Sequence, residues 1–584
     1  MRRQVRAWLL GGIACSLALS AAAENPRRRP GTPQATPMPS GEPLQLKLDT
    51  QLAPVLPLRL QLHSIGAVVP DRWRVLDNLG LNQENLFNPY AQNTLKGDKP
   101  IRGHEEFLVI SGISDTVFEP RHVITPVAPQ ATNDPNAVSI FGGDRQSVFA
   151  QTFTLGLVYL KGDTTFRPPD WELHLTPAFQ FNRVEVEENR VLRIDPRASR
   201  IRRETFIGMQ ELFADYHLRN VSDRYDFDSV RFGIQPVSLD FRGFLLQDLP
   251  YSLRLFGNRD NNQWQYNVLW ARRLEKDTNS GLNAIHRSPR NEDIFAANLY
   301  RQDFPVVGFT SQLLLAHHSS HENDEVFYNR NGFIERPASI GLEQGRGFQV
   351  TYLGANGDGH FGRTNLTAST YLAIGREDRG VFTARPRDIL AGFAAAEASW
   401  DFDWTRLRLS ALWASGDDDP FDGTANGFDA ITENPIFAGA DTSYWMRQSV
   451  PLVGGGGVGL SSRNGVLNSL RSSAMHGQSN FANPGTMLAG VGSDHDLTPT
   501  LRVSTNFNHL WFADPTVVEV ARNQAGVGRA IGFDLSTALI WRPLMSQNAV
   551  VRLSYAVLLP GAAFKQLFPG GHADSLLANI TFSY

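Results

Sequence analysis

Cysteine is nearly missing from this sequence: Cys15 is the only one in 584 residues. No disulfide framework can hold the chain together. Long apolar runs are scarce as well. After the first 23 residues, none reaches the roughly 20 residues that a helix needs to cross a bilayer. Passage through a membrane would therefore have to be made by strands. Basic charge is not in excess either: 55 Lys and Arg face 59 Asp and Glu, a formal net charge of −4. That balance argues against a nucleic-acid partner.

The first residues carry a recognisable signal. Residues 1–23 combine Arg2, Arg3 and Arg6 with an apolar run over 7–19 and the small residues Ala21, Ala22 and Ala23. This pattern reads as a cleaved secretory signal peptide. Cys15 as a lipid-acceptor cysteine is the weaker reading, because Gly12-Ile13-Ala14 lacks the leucine such a site expects. Residues 24–43, with Arg27-Arg28-Arg29 and Pro33, Pro37, Pro39 and Pro43, read as a disordered tether. Residues 44–104 are turn-rich and irregular, and are expected to be a periplasmic or plug-like segment.

From residue 105 to 584 the pattern changes to short alternating segments. In Leu576–Tyr584, Leu576, Ala578, Ile580, Phe582 and Tyr584 share one face, and Leu577, Asn579, Thr581 and Ser583 the other. Such period-two alternation ending on an aromatic reads as the closing strand of an outer-membrane barrel, the strand offered to the barrel assembly machinery. Counting back from it predicts about 18 strands, the first a weak one near 105–114. Connections alternate between short ones, such as 401–404 and 497–500, and long ones, such as 317–345 and 415–485. Short periplasmic turns and long extracellular loops are the asymmetry of that architecture. The expected fold is all-β: a transmembrane antiparallel β-barrel in the bacterial outer membrane, its outer wall against lipid.

The faces divide chemically. Trp264, Tyr266, Val268 and Trp270 oppose Gln263, Gln265, Asn267 and Arg273; Leu501, Val503, Phe507 and Trp511 oppose Arg502, Ser504, Asn506 and Asn508. A polar inner face implies a wet lumen. Parity turns Arg231, Arg254, Arg273, Arg406, Arg408, Arg502 and Arg552 inward, against fewer inward acids: Glu172, Glu211, Asp215 and Asp534. Guanidinium groups along a lumen would attract anions and offer paired donors to carboxylates. The competing reading is that they brace the wall by pairing with those acids.

Three further motifs stand out. Asp417, Asp418, Asp419 and Asp422 cluster beside Gly416 and Gly423 at the start of the longest loop. They could hold a hard cation such as calcium, although an EF-hand needs different spacing; no other cofactor is expected. Gly454–Gly459 satisfies a dinucleotide-loop pattern but lies in a loop without a following helical period, so it reads as flexible backbone. His317, His318 and His321 resemble a metal or catalytic cluster without a readable acid partner, and read as solvated residues at a loop mouth.

Val230–Pro236, Phe241-Arg242-Gly243-Phe244, Arg254-Leu255-Phe256-Gly257 and Ala414-Ser415-Gly416-Asp417 resemble the alginate export family of outer-membrane channels. The resemblance spans about Phe149 to Tyr584. It implies an 18-stranded barrel with a narrow, arginine-rich lumen that passes a polyuronate, and it places Arg231, Arg242 and Arg254 along the anion path. The sequence departs from that pattern at Gly233-Ile234-Gln235, where a basic residue is missing, and in its longer N-terminal piece. The combined expectation is a porin-like, non-enzymatic channel for anionic solutes, from small molecules to an acidic polysaccharide. The alternative is a surface binding protein or enzyme acting through its long extracellular loops.

Overall fold

The computed structural model describes residues 79–81, 84–86, 93–124, 143–162, 168–222, 226–323, 325–448, 450–453, 458–460 and 463–584. The signal peptide, the tether, most of 44–104, and Gly454–Gly457 of the glycine run lie outside the described residues.

Eighteen long strands pair in sequence order, each antiparallel to the next. They are β1 (Glu106–His122), β2 (Arg145–Lys161), β3 (Trp171–Val186), β4 (Ile201–Asn220), β5 (Phe227–Ile234) and β6 (Tyr251–Arg259). Next come β7 (Trp264–Arg272), β8 (Glu292–Arg301), β9 (Phe309–Ser320), β10 (Phe348–Phe361), β11 (Thr364–Glu377) and β12 (Arg387–Phe402). The last six are β13 (Thr405–Ala414), β14 (Thr486–Thr498), β15 (Leu501–Trp511), β16 (Ala530–Trp541), β17 (Ala549–Pro560) and β18 (Asp574–Ser583). β18 returns to β1, with Ser114 opposite Phe582 and His122 opposite Asp574. The sheet is therefore closed and leaves no edge to be satisfied by lipid. The weak first strand is longer than its sequence suggested.

Short turns gather at one rim. The two-residue connections 362–363, 403–404 and 499–500 sit there, with the tighter backbone supplied by Gly362 at φ +59° and Asp403 at φ +51°. At the same rim Lys96 Nζ lies 3.9 Å from the centre of the Tyr584 ring, and Asn93 Nδ2 donates to Tyr584 Oη at 3.0 Å. Leu95 O accepts from the Ile110 N–H at 2.7 Å. The described end of the irregular segment thus lies on the β1–β18 seam.

The outer wall is apolar along successive strands: Leu253, Leu255, Val268, Leu313, Leu315, Leu407, Leu409, Leu553 and Tyr555 are all exposed. Exposed leucines in that number make sense only against hydrocarbon. Trp404 and Trp541, both exposed, lie at the short-turn rim, where interfacial rings belong.

The lumen departs from the wet channel expected. Towards the long-loop side, the inward positions are apolar: Ile294, Leu314, Val350, Tyr352, Tyr371, Ile389, Phe393, Leu412 and Leu558. Two connections, 235–250 and 415–485, fold inward and pack on them. Phe428 sits with its ring centre 6.1 Å from Tyr352, 6.3 Å from Tyr371 and 5.0 Å from Phe393. Phe244 meets Phe393 at 5.1 Å and Phe437 at 5.3 Å. A third connection, 273–291, approaches β4 at Gly208, where a side chain would press on Leu282 Cβ at 2.7 Å and Asn283 O at 2.9 Å. This part of the interior is a packed core rather than an open pore.

Buried carboxylates fix the folded-in chain. Asp240 accepts backbone N–H bonds from Arg242, Gly243, Phe244 and Leu245 at 2.5 to 3.1 Å. Asp534, inward on β16, accepts from Ser443 Oγ at 2.6 Å and from the N–H groups of Tyr444 and Trp445 at 3.2 and 2.7 Å. It thereby anchors the one-turn helix α1 (Tyr444–Arg447) to the wall.

Candidate functional site

The inward faces nearer the short turns keep their polar character, and there the sequence-derived arginines meet. Arg231 on β5 and Arg254 on β6 are directly opposite cross-strand partners. Such partners project to the same face about 5 Å apart, so their guanidinium groups form a pair. Arg231 lies over the Phe213 ring at 4.6 Å and the Phe256 ring at 5.4 Å, and Arg254 lies over Phe256 at 4.8 Å. Aromatic faces hold a guanidinium flat without consuming its N–H donors.

The two differ in their partners. Arg231 Nε donates to Asp215 Oδ2 at 2.8 Å. Arg254 donates instead to the amide oxygen of Asn267, Nε at 2.8 Å, and no ion pair joins it to a carboxylate among the described residues. It keeps its charge uncompensated at first contact. Glu172 and Glu211 also face inward here, but are engaged by His174 at 2.9 Å and by Thr176 at 3.0 Å.

The remaining arginines brace the wall. Arg406 grips Asp401 through two bonds of 2.5 and 3.0 Å, and Arg502 grips Asp496 at 2.6 and 2.8 Å. Arg408 reaches Asp494 at 3.2 Å and Asn506 Oδ1 at 2.7 Å. Arg552 stands 3.7 Å from Asp441 of the in-folded connection. Arg242, brought into the lumen on the connection 235–250, donates to Thr367 Oγ1 at 2.7 Å and stays 3.8 Å from Glu397 and 3.9 Å from Asp358. The inward acids thus include Asp358, Glu397, Asp401, Asp494 and Asp496, none of which parity had singled out. Of the arginines that parity turned inward, Arg254 is the one left without an ion pair to a described carboxylate.

Arg273 is not on the lumen surface. It is buried just beyond β7, where it donates to Glu292 at 3.1 Å and to the carbonyls of Ala474 and Met475 at 3.3 and 3.2 Å. Around it, Arg290 bonds Glu292 at 2.9 Å and Glu322 at 2.8 Å, and Arg336 bonds Glu275 at 2.6 Å and His476 O at 3.0 Å. Burial alone would raise the Glu275 carboxyl. The His476 ring, 3.7 Å away, and the hydrogen bond and charge of Arg336 outweigh it and bring the group down to about 2. Within this cluster the long connection is clamped at 474–477.

The acidic cluster is rearranged too. Oxygens of Asp417 and Asp422 and the carbonyl of Asp419 converge, but on the Arg387 guanidinium, at 3.0, 3.2 and 3.1 Å. The Thr424 carbonyl completes the set at 2.6 Å. The Arg387 guanidinium thus stands among the acids read as a calcium candidate, Asp418 forms no hydrogen bond or ion pair with it, and no group of three or more acids and histidines placed to hold a metal occurs among the described residues. The histidines do not converge either. His318 is buried inward 3.6 Å from Glu292, His317 meets Thr351 Oγ1 at 3.0 Å, and His321 is exposed.

No protein-family model matches the chain, and no curated protein matches it. Among solved structures it aligns with OccAB1 of Acinetobacter baumannii at 9% identity and a TM-score of 0.46, over 82% of this chain and 96% of the other. A BenF-like porin from Pseudomonas fluorescens Pf-5 aligns at 10% identity and a TM-score of 0.44, over 82% and 98%. OccK2 (OpdF) of Pseudomonas aeruginosa, solved with glucuronate, aligns at 13% identity and a TM-score of 0.42, over 82% and 96%. The architecture described above is a closed, eighteen-stranded antiparallel transmembrane barrel.

Proposed function

We propose that this chain is an outer-membrane channel that passes small anionic solutes and does no chemistry on them. The observation that carries the reading is the Arg231–Arg254 pair, in which Arg254 forms no ion pair with a described carboxylate, whereas Arg231, Arg242, Arg406, Arg408, Arg502 and Arg552 each stand within 4 Å of one. A single uncompensated guanidinium lowers the entry cost of an anion without trapping it, which is what conduction requires. The paired charges on either side give weak alternative contacts along the way.

Size enters through the packed connections. A polymer would have to thread past the rings around Phe428 and Phe244, so the polyuronate implied by the alginate-export resemblance fits this interior less well than a solute of one ring or fewer. In this reading outer-membrane lipid covers the leucine-rich wall and the C-terminal strand is the element engaged by the assembly machinery.

Proteoliposome swelling tests the proposal. Sodium lactate is expected to enter faster than uncharged erythritol, and an oligouronide of several rings to be excluded. Equal rates for lactate and erythritol, or free entry of the oligouronide, would overturn it.

A further inference from the structure

Between the long connections lies a cavity of about 560 Å³, lined from 187–200, 321–347 and 415–485. That volume is in the range of small-molecule sites. One side is apolar, formed by Ile340, Trp445, Leu452 and Leu470. The polar side is informative because most of its groups are already spent. Gln448 bonds Arg121 and Glu119 at 2.6 and 2.8 Å, Asn468 bonds Thr486 Oγ1 at 2.9 Å, and Arg471 bonds Asp429 at 2.7 Å.

Two groups with buried, unpartnered atoms are left. Arg190 forms no ion pair with a described carboxylate, and its Nε is buried without a hydrogen-bond partner. It is also held at φ +62°, a left-handed conformation that a non-glycine residue adopts at a cost of about 1 kcal/mol or more. Glu433 accepts the Leu467 N–H at 2.8 Å through Oε1, while Oε2 is buried without a partner. Burial pushes the Glu433 carboxyl up to about 8, so near neutral pH Oε2 carries a proton and is a donor. These two buried groups are therefore both donors, one of them charged. An unpaired buried donor costs about 1–3 kcal/mol, and a ligand that accepts from both recovers it.

We propose that this cavity binds a small carboxylic acid with an apolar body, its carboxylate on Arg190 and Glu433 and its body against Trp445 and Leu452. Its role as a capture site ahead of the lumen rests on the channel reading; its existence as a binding site does not. The other charged groups facing it are the Asp429–Arg471 pair, Glu335, which accepts from Asn329 and Ser473, and Glu343. None of these offers a free donor, and the acids repel a carboxylate that strays from Arg190.

The test is isothermal titration of the full-length, detergent-folded protein with phenylacetate and its uncharged analogue phenylacetamide. Phenylacetate is expected to bind about tenfold tighter or better, the advantage of a charge-assisted pair. R190Q is expected to abolish that difference. Binding to the unmodified protein weakens from pH 7 to pH 9 as Glu433 ionises, whereas E433Q, which keeps a neutral donor, binds equally at both. Equal affinity for the acid and the amide on the unmodified protein overturns the proposal, whatever the variants do. Anion-selective conductance without phenylacetate binding overturns it while leaving the channel intact; binding without conductance upholds it and overturns the channel.

Discussion

A guanidinium facing a lumen attracts anions only to the extent that its own protein has not already neutralised it. Arg406 and Arg502, each in a two-bond grip on an aspartate, are electrostatically quiet beyond their immediate surroundings. Arg254, bonded to an amide oxygen, is not. Arg387 carries the same logic to the loop side, where it stands among Asp417, Asp422 and two carbonyls. Arg387→Met leaves the buried Asp417 carboxylate uncompensated and is expected to cost about 3–5 kcal/mol, read as a lower melting temperature of the folded barrel. A chelator is expected to leave the melting temperature of the unmodified protein unchanged; a fall on chelation would restore calcium to this loop. Side-chain direction was legible in the sequence, since alternation placed Arg231, Arg254, Arg406, Arg408, Arg502 and Arg552 on inner faces. Their partners were not, because pairing depends on register between strands: Asp494 meets Arg408 diagonally, two positions beyond the Gly492 that lies opposite it.

The in-folded connection 415–485 behaves as a structural element although it has little regular structure. Its apolar residues, among them Phe428, Ile431, Phe437, Trp445 and Phe481, follow neither a strand nor a helix period, so alternation offered no sign that they are buried. The sign that was available is compositional: so many large apolar side chains do not belong in a solvated loop. Asp534→Ala removes the acceptor shared by Ser443, Tyr444 and Trp445, orphaning two buried N–H groups at about 1–3 kcal/mol each. Higher single-channel conductance is the expected result, and unchanged conductance would show that α1 does not narrow the path. The clamp at 474–477 responds to acid. Because Glu275 is held at about 2 against an ordinary 4.5, its stabilisation, about 3 kcal/mol, is complete above the ordinary value and fades as pH falls towards 2. Pepsin is expected to cut near Met475 at pH 2 and to spare it at pH 4; equal cleavage at both would contradict the clamp.

At the scale of the molecule, the closed ring of eighteen strands follows from chemistry that one sequence displays well: alternation, the contrast between short and long connections, and aromatics at strand ends. What fills the ring is long-range packing, and no local pattern in 235–250 or 415–485 reports it. In the proposed channel, closure gives the wall, the folded-in connections limit the size of the solute, and the residual charge at Arg254 sets the preference. The most direct measurement is the reversal potential of single channels in a salt gradient across planar bilayers, for the unmodified protein and for R254Q. Anion preference in the first, reduced in the second with the channel still open, is the predicted result. A channel without anion preference, or one whose preference survives R254Q undiminished, would contradict the account.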